Sequence, residues 1–484
     1  MVLPSEGAMP GMVSPLLRAL SNQHERYVIF HTPCTISTDS CVSIGEHLVK
    51  TALGLIVVTL LIGLAWPTDK YRVLKSKELL QMLDAIHEDI KQHYYDPSIH
   101  GFDLDGRFAK ARNEILGSKS ESEGLLDIAA AVESVDDSHT HFRPPTRPYG
   151  VDYGWIMEPM GESGCFVTAV RPDTDAFAKG LKPGDKILSI NGIAVTRQNL
   201  RFIEYAYHVV PQSGFHLSVQ TPAGVTRNLV AMATVIPGQS IIRHSDVITW
   251  LSTHHQQADR SQYFHEEGVL FWKLPDFLLQ PSEVDDLVNK AHSFRAVVLD
   301  LRGNRGGLEG ALEELIGGFF DEDVEIGDVK ARDGSMPWLV HSSRQKAFSG
   351  NLIVLVDSST GSAAEIFSRV VQIEKRGTVV GDRTMGAVMQ GKTFMHVVQL
   401  DPTYVTQYGV EVSTAELIMK DGKLLEKVGV MPDERILPTP DDLVRGRDPA
   451  LARAAELAGV RISADEASKI FPLRWPKERM PEID

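Results

Sequence analysis

Ser362 stands where a short apolar run, Leu352 to Val356, gives way through Asp357-Ser358-Ser359-Thr360-Gly361 to the helix-like stretch Ala363-Ala364-Glu365-Ile366-Phe367. A hydroxyl at a strand-to-helix junction is accessible, and the N–H groups of a first helical turn have no intrahelical partner. Acyl transfer needs such donors, because negative charge develops on the attacked carbonyl oxygen. The glycine turn Gly306-Gly307 lets a second stretch of backbone approach a ligand closely. The expected oxyanion donors are therefore the N–H of Ala363 and one from Gly306 or Gly307. Taken alone, a serine at a helix start is more often a cap than a nucleophile. Its chemistry depends on a base, and histidine has the unperturbed pKa for that role near neutral pH.

The elements that must position these residues follow from periodicity. Residues 72–135 read mostly as helices, with Leu80, Leu83, Ile86 and Ile90 on one face and Asp84, Glu88 and Lys91 away from it. Leu125 to Val135 forms a second helical stretch after the polar run Ser118–Glu123, and it leads into Asp136-Asp137-Ser138-His139-Thr140. From about 265 the pattern is strand, turn, helix, strand. Gly268–Leu274, Ala296–Leu301, Leu352–Val356 and Thr378–Gly381 read as strands, with a helix from near Glu309. Such alternation predicts an α/β sheet with ligands at its strand ends.

Between these parts, residues 150–235 carry short alternating apolar runs such as Cys165–Val170. The run Ala178-Lys179-Gly180-Leu181-Lys182-Pro183-Gly184-Asp185-Lys186-Ile187-Leu188-Ser189-Ile190-Asn191-Gly192 resembles a PDZ domain. Gly180 suits a helix C-terminus, and Asn191-Gly192 is a strong hairpin turn. PDZ domains bind extended peptide ends by adding a strand to a sheet edge.

Three further runs occur in order: Leu299-Asp300-Leu301-Arg302-Gly303-Asn304 closed by Gly306-Gly307, then Gly361-Ser362-Ala363-Ala364-Glu365-Ile366, then Val379-Val380-Gly381-Asp382 with Thr384 and Gly386. Together they resemble the S41 family of serine proteases, the C-terminal processing (tail-specific) and tricorn-like enzymes. The likeness extends over about residues 75 to 460 and includes Glu426-Lys427-Val428-Gly429-Val430-Met431-Pro432-Asp433. It implies an α+β multidomain chain: a helical lead-in, a PDZ-like β-domain and an α/β core of the ClpP/crotonase-like kind. It makes Ser362 the nucleophile and leaves Ser358, Ser359 and Ser368 structural. Processing proteases pair that serine with a lysine in Thr-x-Gly-Lys, but this chain reads Thr384-Met385-Gly386-Ala387. Ala387 cannot be a base, and Lys392 is the nearest substitute. In tricorn-like members a histidine from the lead-in serves instead, helped by a serine and a glutamate. Position by position these are His139, Ser138 and Glu426, with His141 as the rival histidine. The expected activity is hydrolysis of peptide bonds. The alternatives are a catalytically silent peptide-binding homologue and a Ser–Lys enzyme using Lys392.

Composition narrows the remaining classes. The 484 residues carry a formal net charge of −15, with 43% hydrophobic and 23% charged residues. That is a globular balance without the basic excess that nucleic-acid binding requires. Three cysteines, Cys34, Cys41 and Cys165, exclude a disulfide framework or Cys-rich zinc site in the main body. No His-Glu-x-x-His run occurs, and neither metal nor other cofactor is expected. The expected divisions are 1–46 without assignment, 47–66 a signal-anchor or signal segment, 70–145 helical, 146–238 PDZ-like, 239–460 protease core and 461–484 a tail. Ala52 to Trp66 is uncharged, with Arg18, Arg26 and Lys50 before it. This pattern suits a membrane anchor holding the rest outside the cytoplasm, and the resemblance and this segment together suggest a bacterial periplasm or cell envelope. Gly63-Leu64-Ala65 also offers a small-x-small cleavage site. Oligomeric state is not legible.

Overall fold

The helix Ser76–His93 buries Leu79, Met82, Leu83, Ile86 and Ile90 in one stripe, each side chain contributing about 1.5–3 kcal/mol of hydrophobic stabilisation. Leu80, expected on that stripe, is partly buried at its edge. Successive residues turn by about 100°, so Leu79 and Met82 take the centre. The computed structural model describes residues 73–147, 149–237, 261–401, 404–473 and 475. The apolar segment 47–66, Cys34 and Cys41 lie outside the described residues. Among the described residues no helix is long and apolar enough to cross a membrane.

Two further helices, Leu104–Gly117 and Glu121–Val132, complete the lead-in. The polar run read as a loop contains the first turn of the second of these, capped by the Ser120 side chain accepting from Glu123 N–H. A short strand follows, His141–Arg143. The PDZ-like region forms a sheet in the order Trp155–Pro159, Cys165–Val170, Lys186–Ile190, Gly214–Gln220 and Thr226–Met232, with Ile193–Ala194 beside Lys186–Ile190. Asn191 and Gly192 have φ of 51° and 79°, the left-handed pair that a tight hairpin demands. Helix Leu200–Val209 closes this unit. Cys165 is a buried free thiol.

The core sheet runs Gln262–Glu266, Val269–Lys273, Ala296–Asp300, Asn351–Val356, Thr378–Gly381 and Glu434–Arg435. The first pair is antiparallel and every later pair parallel. All of Ala296–Asp300 is buried, as expected for a parallel strand covered on both faces. Val297 and Leu299 pack with helices Pro281–Ala291, Glu309–Phe319 and Ala363–Ile373. Ala296 and Val298 face Pro449–Leu457.

A second sheet joins the lead-in to the core. The long hairpin Met389–Asp401 and Tyr404–Met419 pairs with His141–Arg143 on one side, placing His141 opposite Glu411. The PDZ-like unit is tied down at Asp382, which accepts from Gly161 N–H and Arg197 Nη1, both at 2.8 Å.

Candidate active site

Helix Ala363–Ile373 starts just past the C-terminal end of strand Asn351–Val356, where open α/β sheets bind their ligands. Ser362 caps it with φ 52° and ψ −122°. Such backbone costs about 1–3 kcal/mol in a non-glycine residue and persists only when its surroundings enforce it. Here Ser362 N–H donates to Ala387 O at 2.9 Å and to Glu365 Oε2 at 3.1 Å. Gly361 N–H donates to Asn304 O at 2.8 Å. Ser362 is half-buried, and its Oγ has no hydrogen-bond partner among the described residues.

The glycine turn lies directly against this serine. Gly306 has φ 95°, and a Cβ there would sit 2.5 Å from Ser362 Cβ and 2.9 Å from Ala363 N. Only glycine fits. The two glycines differ in what their N–H groups do. Gly306 N–H donates to Asn304 Oδ1 at 2.8 Å. The parallel bridge to Phe277 uses Gly306 O and Leu308 N–H, so the N–H of Gly307 has no partner among the described residues. The same holds for Ala363 N–H.

The histidine segment is built on Asp137. Its carboxylate accepts from His139 N–H at 2.9 Å, Thr140 N–H at 2.7 Å, Thr140 Oγ1 at 2.9 Å and Ser413 Oγ at 2.7 Å. Arg201, on the PDZ helix, donates to Asp137 O at 3.4 Å. Both ring nitrogens of His141 are occupied, Nδ1 by Glu133 Oε1 at 2.5 Å and Nε2 by Ser138 O at 2.6 Å. His139 engages only Nδ1, with Ser138 Oγ at 2.8 Å. Ser138 Oγ in turn donates to Glu426 Oε2 at 2.7 Å, and Ser138 N–H donates to Oε1 at 2.8 Å.

With Glu426 ionised, this chain of bonds selects one tautomer. Ser138 has one hydroxyl proton, and the Glu426 carboxylate can only accept it. Ser138 Oγ is therefore the acceptor for Nδ1–H, and His139 Nε2 carries the lone pair. Burial pushes the His139 pKa down; Glu411 and Asp137 oppose this, while His141 and Arg201 add to it. The ring is thus neutral at neutral pH. Burial pushes Glu426 up against the hydrogen bonds from Ser138 and Val388 that pull it down.

Consecutive residues connect the two halves. Ala387 O receives Ser362 N–H, and Val388 N–H donates to Glu426 Oε2 at 2.9 Å. Gly391 faces the histidine, since a Cβ there would lie 3.3 Å from His139 Cβ. Ala387 itself is 6% exposed. Lys392 is exposed, with Nζ 5.4 Å from the Phe394 ring centroid. Among the described residues no group of three or more His, Cys, Asp or Glu is arranged to hold a metal.

Sequence reasoning did not single out Asp137, Asn304, Glu365 or Thr384 for these duties. Two had a local signal. Ser362-x-x-Glu365 has the spacing of a capping box, and Asp137 precedes two N–H groups it can bond in an Asx turn.

Residues 269–436 match the profile of peptidase family S41, and residues 149–204 match the PDZ domain. The chain thus carries an S41 peptidase region preceded by a PDZ region. Carboxyl-terminal-processing peptidase 1, chloroplastic, of Arabidopsis thaliana is 23% identical over 390 residues, 76% of this chain and 72% of that protein. Tricorn protease homolog 1 of Streptomyces coelicolor is 26% identical over 400 residues, 79% of this chain but 35% of that protein. The structure of mature CPAF complexed with lactacystin shares the fold, with a TM-score of 0.56 at 15% identity, covering 76% of this chain and 95% of that one. The PDZ region contains a groove of about 670 Å³. Trp155, Ile156 and Met157 of the sheet-edge strand line one side, and Ile203, Tyr207 and His208 of the helix the other. Trp155 Nε1 is buried without a partner among the described residues.

Proposed function

We propose that this chain is a serine endopeptidase in which Ser362 is the nucleophile and His139 the general base. The observation that carries the reading is the Glu426–Ser138–His139 relay, which engages Nδ1 and leaves Nε2 without a partner among the described residues. Nε2 takes the Ser362 proton as Oγ bonds to the peptide carbonyl carbon. The oxyanion is held by Ala363 N–H and Gly307 N–H, the two donors without a partner. The tetrahedral intermediate collapses, the C–N bond breaks, and Nε2–H passes its proton to the leaving amine. Water then gives a proton to His139 while its oxygen attacks the acyl-serine; the C–Oγ bond breaks, His139 returns that proton to Ser362 Oγ, and the released acid ionises to a carboxylate. Catalytic hydrogen bonds commonly tighten only with substrate in place, which accounts for a Ser362 Oγ not yet engaged.

The histidine takes the place of the family's lysine because position 387 is alanine, with its backbone already committed to Ser362 and Glu365. Lys392 is a poor base by contrast. A lysine base needs burial to shed its proton, and Lys392 is exposed. The PDZ groove supports recruitment or gating of an extended peptide, added along strand Trp155–Pro159. The uncharged segment within 47–66 supports a membrane anchor with the peptidase on the extracytoplasmic side; carbonate extraction and protease accessibility of intact cells test this. A fluorophosphonate probe tests the chemistry. Folded wild-type protein is labelled, and Ser362→Ala and His139→Ala abolish labelling. Failure of folded wild-type protein to label, with peptide binding intact, refutes the enzyme reading in favour of a silent homologue.

A further inference from the structure

We infer that Glu365 is the positioning residue that holds the nucleophile turn in its strained conformation and sets it in register with the histidine relay. This rests on the reading of Ser362 and His139 given above. The carboxylate is fully buried and surrounded by donors. Oε1 accepts from the Thr384 hydroxyl and from Gly386 N–H at 2.8 Å. Oε2 accepts from Ala387 N–H at 2.9 Å and Ser362 N–H at 3.1 Å. One side chain therefore grips the nucleophile and the 384–387 segment together.

That segment reaches the relay through its neighbours. Thr384 Oγ1 also accepts from Val430 N–H at 2.6 Å, and Gly386 O accepts from Lys427 N–H at 2.8 Å. Val388 N–H ends on Glu426 Oε2. The path Ser362, Glu365, 386–388, Glu426, Ser138, His139 is continuous hydrogen bonding. Glu365 is its one member bonded both to the nucleophile's backbone and to three residues of the connecting segment.

Only a carboxylate serves here. It presents two acceptor oxygens to four donors. A glutamine of the same shape has one acceptor oxygen and an NH2 group that meets two donors head-on. Turned one way it loses the Ser362 and Ala387 bonds; turned the other it loses the Gly386 bond and keeps Thr384 only if that hydroxyl reverses. No cation pairs with Glu365 among the described residues; Arg369, one turn further along, is committed to Gln372 and Asp421. Burial pushes the Glu365 pKa up to about 7, against the Thr384 hydroxyl and three N–H groups that pull it down. Protonation replaces an acceptor with a donor among donors, so the nucleophile turn loosens as pH falls through that value.

Glu365→Gln tests the inference, read as the second-order rate of fluorophosphonate labelling and as kcat and KM on a peptide, with thermal melts for folding. The expected result is a loss of about 100-fold in labelling and kcat, the scale of ~1 Å of misplacement, with KM little changed. The wild-type rate falls in two acid steps, one near pH 7 from Glu365 and one lower from His139; Glu365→Gln retains only the lower. A folded Glu365→Gln protein labelled at the wild-type rate overturns the inference. Should that variant fail to fold, the wild-type profile decides: a single acid limb below about pH 6.5 overturns it. Ser362→Ala run alongside separates the two failures. Unlabelled wild type sinks the assignment of Ser362 itself, whereas equal labelling of wild type and Glu365→Gln sinks only the role of Glu365.

Discussion

Ser138→Ala removes a single oxygen that makes two hydrogen bonds, to His139 Nδ1 at 2.8 Å and to Glu426 Oε2 at 2.7 Å. Little else should move. Glu426 keeps its bonds from Ser138 N–H and Val388 N–H, and Asp137 still holds the His139 backbone. The stability cost is therefore about 2–4 kcal/mol, the net worth of one neutral hydrogen bond and one to a carboxylate. Catalysis also suffers, because Nδ1–H loses its acceptor just as the ring becomes an imidazolium. Hydrogen bonds to charged groups are worth about 1.5–3 kcal/mol, and each 1.36 kcal/mol off the barrier is tenfold. Labelling and kcat should fall by about 10–150-fold, well short of the loss in His139→Ala. The assay is single-turnover acylation by a fluorophosphonate, with kcat on a peptide and a melt of each variant. Wild-type rates in folded Ser138→Ala, with His139→Ala inactive, would refute the relay and leave His139 acting without an orienting partner.

Gly306→Ala places a Cβ 2.5 Å from Ser362 Cβ at a φ of 95°, so it should abolish labelling and lower the melting temperature by several degrees; normal labelling would remove the glycine turn from the site. Lys392→Ala should leave kcat within twofold, and loss of activity there would restore the lysine-base alternative. For His141, burial alone pushes the pKa down, but the Glu133 carboxylate and the Ser138 carbonyl outweigh it and raise the value above the usual one. A raised folded pKa means stability fully present below the unfolded value of about 6.5 and lost as pH rises through the folded value. Urea melts between pH 5.5 and 8.5 should show that slope in wild type and lack it in His141→Gln; an unchanged slope would place the proton elsewhere.

What was legible in the sequence follows the range of the interactions involved. The core strands stand out as unbroken apolar runs because both their faces are buried; Thr378–Gly381 falls on the residues that periodicity marks. Asn191-Gly192 announces its hairpin because the turn chemistry is local. The helix start at Ser362 is equally local. The face of the first helix was misjudged by one residue, since Leu79 and Leu80 are both apolar and only the packing partner decides between them. The different surroundings of His139 and His141 could not be read from spacing, because they depend on Glu133, which takes the His141 ring, and on Glu426, 288 residues from Ser138. The free N–H of Gly307 was likewise unreadable, as it depends on Asn304 turning its side chain back onto Gly306.

The same contrast governs how the site is assembled. The nucleophile turn is made by one strand, one helix and the glycine loop beside it, all within the parallel sheet. The segment that carries His139 belongs to no single unit. Asp137, which shapes its segment, is bonded to Ser413 of the long hairpin and, through its carbonyl, to Arg201 of the PDZ helix. That helix also holds the next strand, with Tyr205 donating to Phe142 O at 2.9 Å, while Ile203 and Tyr207 face the groove. On the mechanism proposed above, activity depends on more than the core: a base at His139 needs lead-in, PDZ helix and hairpin to be in place together.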